Sequence, residues 1–344
     1  MEVRCLRLLI SKKNKMALQR VDLDIYIYTG IAGSYSDTDL RYTLSKDRLS
    51  SQDNIVLEIA QLVRDYIDVT FNNDYLSTAV WVTTNVRYID SDTNQIYDSN
   101  GTVITHYLAF DGFGYFEDEI NPALSDNLLM TTSNMYLPEG TAGKLPIFAE
   151  GVGKVSIDSV DTQISDNGNS NQKIQYITIP ANTNEVKIYD TDDTTLLQTI
   201  TVNNICEPKY TEYKVNFVNK YGAFQDIFFF KKTTESFSVT DKSYKTNSVN
   251  TSTVDYKTYS GQQQRYNVNG ITTLSLNTGF VKEDFNSALE ELFLTENAWI
   301  RWDGKTLPII PKSKSMAFKT SLNDKLINYT VEFEFAFNKI NNVR

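Results

Sequence analysis

Few side chains in this chain of 344 residues can do chemistry, and their spacing does not gather them. There is one histidine, His106, in the run VITHYLAF, which reads as a strand. A Ser-His-Asp or Cys-His arrangement would have to use it. No GxSxG motif accompanies it, and Cys5 and Cys206 lie about 200 residues apart. Structural zinc takes four ligands in closely spaced pairs, which these three residues cannot supply. His106 therefore reads as a packed or hydrogen-bonded strand residue. Neither cysteine belongs to a CxxC pair, so both read as reduced, buried thiols, and a disulfide between them has little support.

Carboxylates offer more combinations. The run Asp90–Gly101 places oxygens at positions 1, 3, 5 and 9 of a hand-type calcium loop, through Asp90, Asp92, Asn94 and Asp98. Such a loop needs Gly at position 6 and a bidentate Glu at position 12. Gln95 and Gly101 stand there instead, so a polar hairpin turn is expected. Asp190–Asp193 reads the same way. Glu117, Asp118 and Glu119 follow the aromatic run FDGFGYF. Glycan-cleaving clefts combine aromatics with paired acids, but ordinary strand ends have the same make-up. No Walker A motif and no GxGxxG fingerprint occurs. The expectation is a protein that is not an enzyme, with no catalytic residue, no cofactor and no metal.

The elements that would position these residues are mostly strands. Aromatics make up 12% of the chain, with 21 Tyr and 18 Phe against 15 Gly and 7 Pro, which suits sheets rather than a low-complexity segment. The net charge of −10 repels phosphate backbones and argues against sequence-specific DNA binding. No apolar run approaches the roughly 18 residues of a membrane span. The start, MEVRCLRLLISKKNK, has too short an apolar stretch for a secretory signal, so synthesis in the cytoplasm is expected.

Val21–Tyr28 alternates Val21, Leu23, Ile25 and Ile27 with polar or aromatic residues and predicts a strand, answered near Arg41–Leu44. Ile55, Ile59, Leu62, Val63 and Tyr66 fall on one helical stripe and predict a helix over Asp53–Val69, capped by Ser51 or Asp53. Two aromatic strands, Ala79–Ile89 and Val103–Phe110, turn at Asn100-Gly101. Residues 1–119 thus read as a sheet-plus-helix module. Residues 120–150, with Pro122, Pro138 and Pro146, read as a linker or extended loop. Residues 151–207 hold four short strands, KVSIDSV, KIQYITI, EVKIYD and LLQTITV, as a small all-β insert that must lean on its neighbours.

Residues 208–344 read as a second sheet-plus-helix module. Tyr213–Val218 and Phe224–Phe230 form a hairpin turning at Asn219–Gly222. Thr233–Tyr259 is extended, and Ile271–Leu276 is a strand. A helix at Glu283–Leu294 presents Phe285, Leu289, Leu292 and Phe293, with Glu283 and Asp284 in its first turn. Trp299–Trp302, Leu307–Ile310 and Tyr329–Phe337 close the chain as strands. Both ends share the order strands, helix, Trp-bearing strand, turn, strand, which either duplication or convergence would give. The fold class expected is α+β, mostly β, with antiparallel sandwich-like sheets.

Ile227, Phe228, Phe229 and Phe230 are apolar on both faces of one strand. Both faces are then covered within the fold, or one is covered by a neighbouring subunit. Phe224, Ile227, Phe228, Phe229, Phe230, Trp299 and Trp302 are accordingly the candidate residues for folding or assembly contacts.

The segment KVNFVNKYGAFQDIFFFKK resembles one in virion proteins of tailed phages, especially those infecting Bacteroidetes. The resemblance runs on through NGITTLSLNTGFVKEDFNSALEELFLTENAWI to KTSLNDKLINYTVEFEFAFNKINNVR. It covers residues 205–344, and less specifically LRYTLSK and IVLEIAQLVRDYI near the start. It implies a tail or tail-tip component located in the virion, a homo-oligomeric ring or adaptor among other tail proteins. It carries no catalytic residues with it. An acidic ring would suit a conduit through which DNA slides without sticking. The alternatives are a receptor-binding or carbohydrate-binding tail fibre, which would contact a host surface receptor, and a tail-associated glycan hydrolase.

Overall fold

The computed structural model describes all residues except 1–6, 12–17, 50–53, 91–101, 120–126, 208, 250–251, 254, 314, 321–326 and 341–344. It is mostly β, with 51% of residues in strands and 7% in helices, in several antiparallel sheets. The chain divides into two compact units. The larger comprises residues 1–206, 216–227 and 284–295, and the second comprises 207–215, 228–283 and 296–344.

The larger unit begins with β1 (Arg7–Ser11), β2 (Leu18–Tyr28), β3 (Leu40–Asp47), β4 (Asn54–Glu58), the one-turn helix α1 (Ala60–Arg64), β5 (Val80–Asp90) and β6 (Thr102–Ala109). β3, β2, β5 and β6 form an antiparallel sheet in that order, and β1 pairs with β4. The alternation of β2 is realised: Val21, Leu23, Ile25 and Ile27 are buried. They pack with Ile55, Leu57, Ile59, Val63, Val80, Val82 and Val86 in one core. Each aliphatic side chain so buried contributes about 1.5–3 kcal/mol.

That core corrects the helix expected over Asp53–Val69. Ile55, Leu57 and Ile59 are buried at alternate positions, which is a strand's period. β-branched residues favour that extended form, and pairing with β1 satisfies the backbone of Asn54–Glu58. Helix survives only from Ala60 to Arg64. The two ends of the chain therefore do not share one order of elements. The turn expected at Asn100-Gly101 lies outside the described residues.

The stretch expected as a linker contains two strands, β7 (Asn134–Pro138) and β8 (Gly143–Phe148), and most of their residues are buried. They are followed by β9 (Val152–Ile157), β10 (Val160–Gln163), β11 (Ile174–Ile179), β12 (Glu185–Asp190) and β13 (Leu196–Ile205). β10, β9, β12, β13 and β7 form one sheet, with β7 parallel to β13. β8 pairs with β11 instead. The 151–207 strands thus complete their pairing only with strands from 134–148, and the dependence on neighbours expected for them is met there.

The chain continues through β14 (Tyr213–Val218) and β15 (Phe224–Phe229), each of which passes from one unit to the other. Their turn is closed by Asn219 N–H donating to the Ala223 carbonyl at 3.0 Å. Gly222 supplies the positive φ of 74° there. The second unit holds β16 (Thr234–Lys245) and β17 (Gln263–Asn277). α2 (Phe285–Leu294) follows in the chain and belongs to the larger unit, with Phe285, Leu289 and Leu292 buried. β18 (Ala298–Trp302), β19 (Lys305–Pro311) and β20 (Thr330–Phe335) return to the second unit, where β18, β19, β20, β17 and β16 are neighbours in that order. β20 alternates as its sequence requires, with Val331, Phe333 and Phe335 buried.

Candidate assembly surface

The apolar run of β15 is covered within the chain. Phe224, Ile227, Phe228, Phe229 and Phe230 are all buried. In the larger unit the Phe224 ring lies 4.9 Å from Phe71 and 6.1 Å from Tyr176. In the second unit Phe229 meets Phe333 edge-on at 5.7 Å. Of the two possible covers for this strand, the fold itself supplies it, and these five side chains are core residues that no neighbouring subunit needs to shield. Trp299 and Trp302 are half-buried. Trp302 stacks on Tyr213 at 4.7 Å and 18° and meets Phe335 edge-on at 6.0 Å.

The structure places the residues singled out for chemistry as follows. His106 Nδ1 lies 2.7 Å from the Thr83 hydroxyl, which lies 2.9 Å from the Tyr28 hydroxyl. Tyr28 in turn accepts the Gly33 N–H at 2.7 Å, so this chain of bonds holds the loop after β2. Glu117, Asp118 and Glu119 are exposed beside a fully exposed Phe116. Asp192 accepts both the Thr194 and Thr195 N–H groups, at 2.8 and 2.7 Å, and the Thr195 hydroxyl at 2.6 Å. Those bonds hold its carboxyl well below the usual range. Asp190–Asp193 is thus a self-capped turn. Among the described residues no three His, Cys, Asp or Glu gather as metal ligands. Most of Asp90–Gly101 lies outside the described residues, as does Cys5. Cys206, expected buried, is exposed.

Two polar clusters in the larger unit were not visible in the sequence. The Tyr75 hydroxyl bonds both Asp226 oxygens, at 2.9 and 2.8 Å, and Asn216 Nδ2 donates to Tyr75 at 3.0 Å and to Asp226. Burial and the adjacent carboxylate push the Tyr75 hydroxyl far up. Glu291 of α2 is fully buried. It accepts the Lys220 N–H at 3.3 Å and the Thr131 hydroxyl. Burial raises its carboxyl to about 7. Partners 71 to 160 residues away leave no local trace in a sequence.

The ribbon of β16 and β17 faces outward. All twelve residues of β16 are exposed, as are Gln263–Asn267 of β17. β20 pairs with Thr273–Asn277, and among the described residues the rest of β17 has β16 on one side and no strand on the other, where the Lys339 N–H bonds the Gly270 carbonyl at 2.8 Å. Phe237, Val239, Tyr244 and Tyr266 stand exposed on the ribbon, and Tyr256 and Tyr259 on its connecting loop. Tyr244 and Tyr266 meet at 5.7 Å, and Arg265 pairs with Asp241 at 2.7 Å. A two-stranded ribbon is marginally stable alone in water. In sequence Ser236, Ser238 and Thr240 alternate with Phe237 and Val239, a pattern that gives no sign that both faces are exposed. Nearby, Glu235, Trp302, Phe335, Phe337 and Lys339 line a small cleft in the same unit.

No protein-family model matches the chain, and no curated protein matches it.

Proposed function

We propose that the chain is a structural protein of a tailed-phage virion, a ring-forming or adaptor component of the tail or tail tip that acts by subunit assembly. The observation that carries this reading is the β16–β17 ribbon, whose exposed aromatic and aliphatic side chains need a cover. The resemblance of residues 205–344 to phage virion proteins supplies the setting. The net charge of −10 suits a protein beside passing DNA, which it would repel rather than bind. Mass spectrometry of purified virions tests the proposal. Several copies of the chain per particle are expected, and its absence from particles would overturn it.

A second reading is a receptor-binding or carbohydrate-binding tail module. The cleft lined by Trp302, Phe335, Phe337, Glu235 and Lys339 favours it, because aromatic faces flanked by polar groups suit sugar rings. Glycan-array binding by the full chain, lost on Trp302→Ala, would move the weight to this reading.

A further inference from the structure

Among the described residues β16 is the last strand of its sheet order. Exposed sheet edges invite another strand, and proteins blunt them with lysine, proline or a bulge. In β16 those devices sit in the second half, as the register shift between Thr240 and Lys242 and as Lys242 and Lys245 themselves. The first half, Thr234–Thr240, has no lysine, proline or bulge. It presents Phe237, 57% exposed, and Val239, 47% exposed. A stretch of this kind is a template for strand addition.

The charges along β16 say which strand. Glu235 stands at one end, and Lys242 and Lys245 stand at the other. Asp241 is engaged by Arg265. The remaining charge therefore runs from negative to positive along the strand. An antiparallel copy of the same strand, paired over Ser236–Thr240 about Ser238 and so clear of the register shift, brings each Glu235 next to the other's Lys242, twice by symmetry. A parallel copy sets like against like.

We propose that β16 pairs antiparallel with β16 of a second copy of this chain, so that one sheet runs through both copies. Phe237 and Val239 lie toward the middle of such a pairing and supply its apolar contact. The contact is isologous and closes at two copies, so it joins copies in pairs and does not by itself generate a ring. It rests on the assembly reading only in requiring that copies associate.

Sedimentation equilibrium of the full chain over a concentration series tests it. The parent chain is expected to dimerise, more weakly as salt rises. Glu235→Lys alone, and Lys242→Glu with Lys245→Glu, are each expected to weaken the dimer about tenfold or more, since one lost ion pair per half-site approaches 1.4 kcal/mol in total. A mixture of those two variants is expected to associate as tightly as the parent, because the reversed charges meet again. Val239→Lys, on the exposed edge, is expected to give a monomer with unchanged circular dichroism and melting temperature. A parent chain monomeric throughout, variants that dimerise like the parent, or a mixture of folded variants that stays monomeric would each overturn the pairing. So would a parent monomer that associates only with an unlike tail protein. A dimer indifferent to every variant removes this inference and leaves the assembly reading standing. Absence from virions removes that reading whatever the dimer does.

Discussion

The ring of Phe237 covers Gly270 diagonally across the β16–β17 ladder, so closely that a Cβ on Gly270 would lie 2.3 Å from the ring's Cζ. The ribbon is thus locked by an aromatic laid over a glycine, and the pair lies where β17 has already left β20. Gly270→Ala must lift the ring. The expected result is faster hydrogen exchange of amides in Phe237–Lys242 by about tenfold, the rate equivalent of roughly 1.4 kcal/mol. Exchange in β2 and β5 of the larger unit should not change. Native-state exchange followed by mass spectrometry reads both regions in one experiment.

Glu291 makes the fold sensitive to pH. Burial raises its carboxyl from 4.5 to about 7, so the folded chain holds the proton more tightly than the unfolded one. Its favourable contribution is present in full below about pH 4.5 and is lost as pH rises through about 7. Stability should fall across that window by on the order of 3 kcal/mol from this group. Glu291→Gln keeps an acceptor for the Lys220 N–H and removes the titration. Urea unfolding at pH 5 and pH 8 should show a smaller difference for the variant than for the parent, with the variant the more stable at pH 8.

Tyr75, Asp226 and Asn216 form a hydrogen-bonded group within the larger unit. Tyr75→Phe removes the hydroxyl that both carboxylate oxygens share. A hydrogen bond to a charged group contributes about 1.5–3 kcal/mol, so a loss near 2 kcal/mol is expected. Denaturant titration of Tyr75→Phe measures it. Adding Asp226→Asn should recover part of the loss, because the carboxylate charge that the Tyr75 hydroxyl no longer meets goes with it.

Phe229 is fully buried in the second unit against Phe333. Phe229→Ala should cost about 3–5 kcal/mol through the cavity it leaves. The loss should be the same at every protein concentration. A residue that worked only in an interface would show a concentration-dependent loss instead, so thermal melts at two concentrations separate the two roles.

Much of this fold was legible along the chain. The alternation in β2 and β20, the Asn219–Gly222 turn and the apolar stripe of α2 each depend on near neighbours in sequence, and each stands where the pattern put it. The failures share a different cause. Ile55 and Ile59 satisfy both a helical stripe and a strand's alternation, and only pairing with β1 decides between them. Pro138 and Pro146 look like breakers, yet they sit within strands whose partners, β13 and β11, come later in the chain. The apolar run at β15 left open whether the fold or a neighbouring subunit covers it, because its cover, which includes Phe71 and Phe333, is distant in sequence. The exposed ribbon was legible only as an extended Thr/Ser/Tyr-rich stretch, since exposure is a property of what does not pack on it.

A density map of the intact virion with this chain placed in it tests the assembly reading most directly. The map should show several copies arranged about the tail axis, with the β16–β17 ribbon of each covered by a neighbouring subunit. A particle in which no density fits the chain, or one in which the ribbon stands uncovered in every copy, would contradict it.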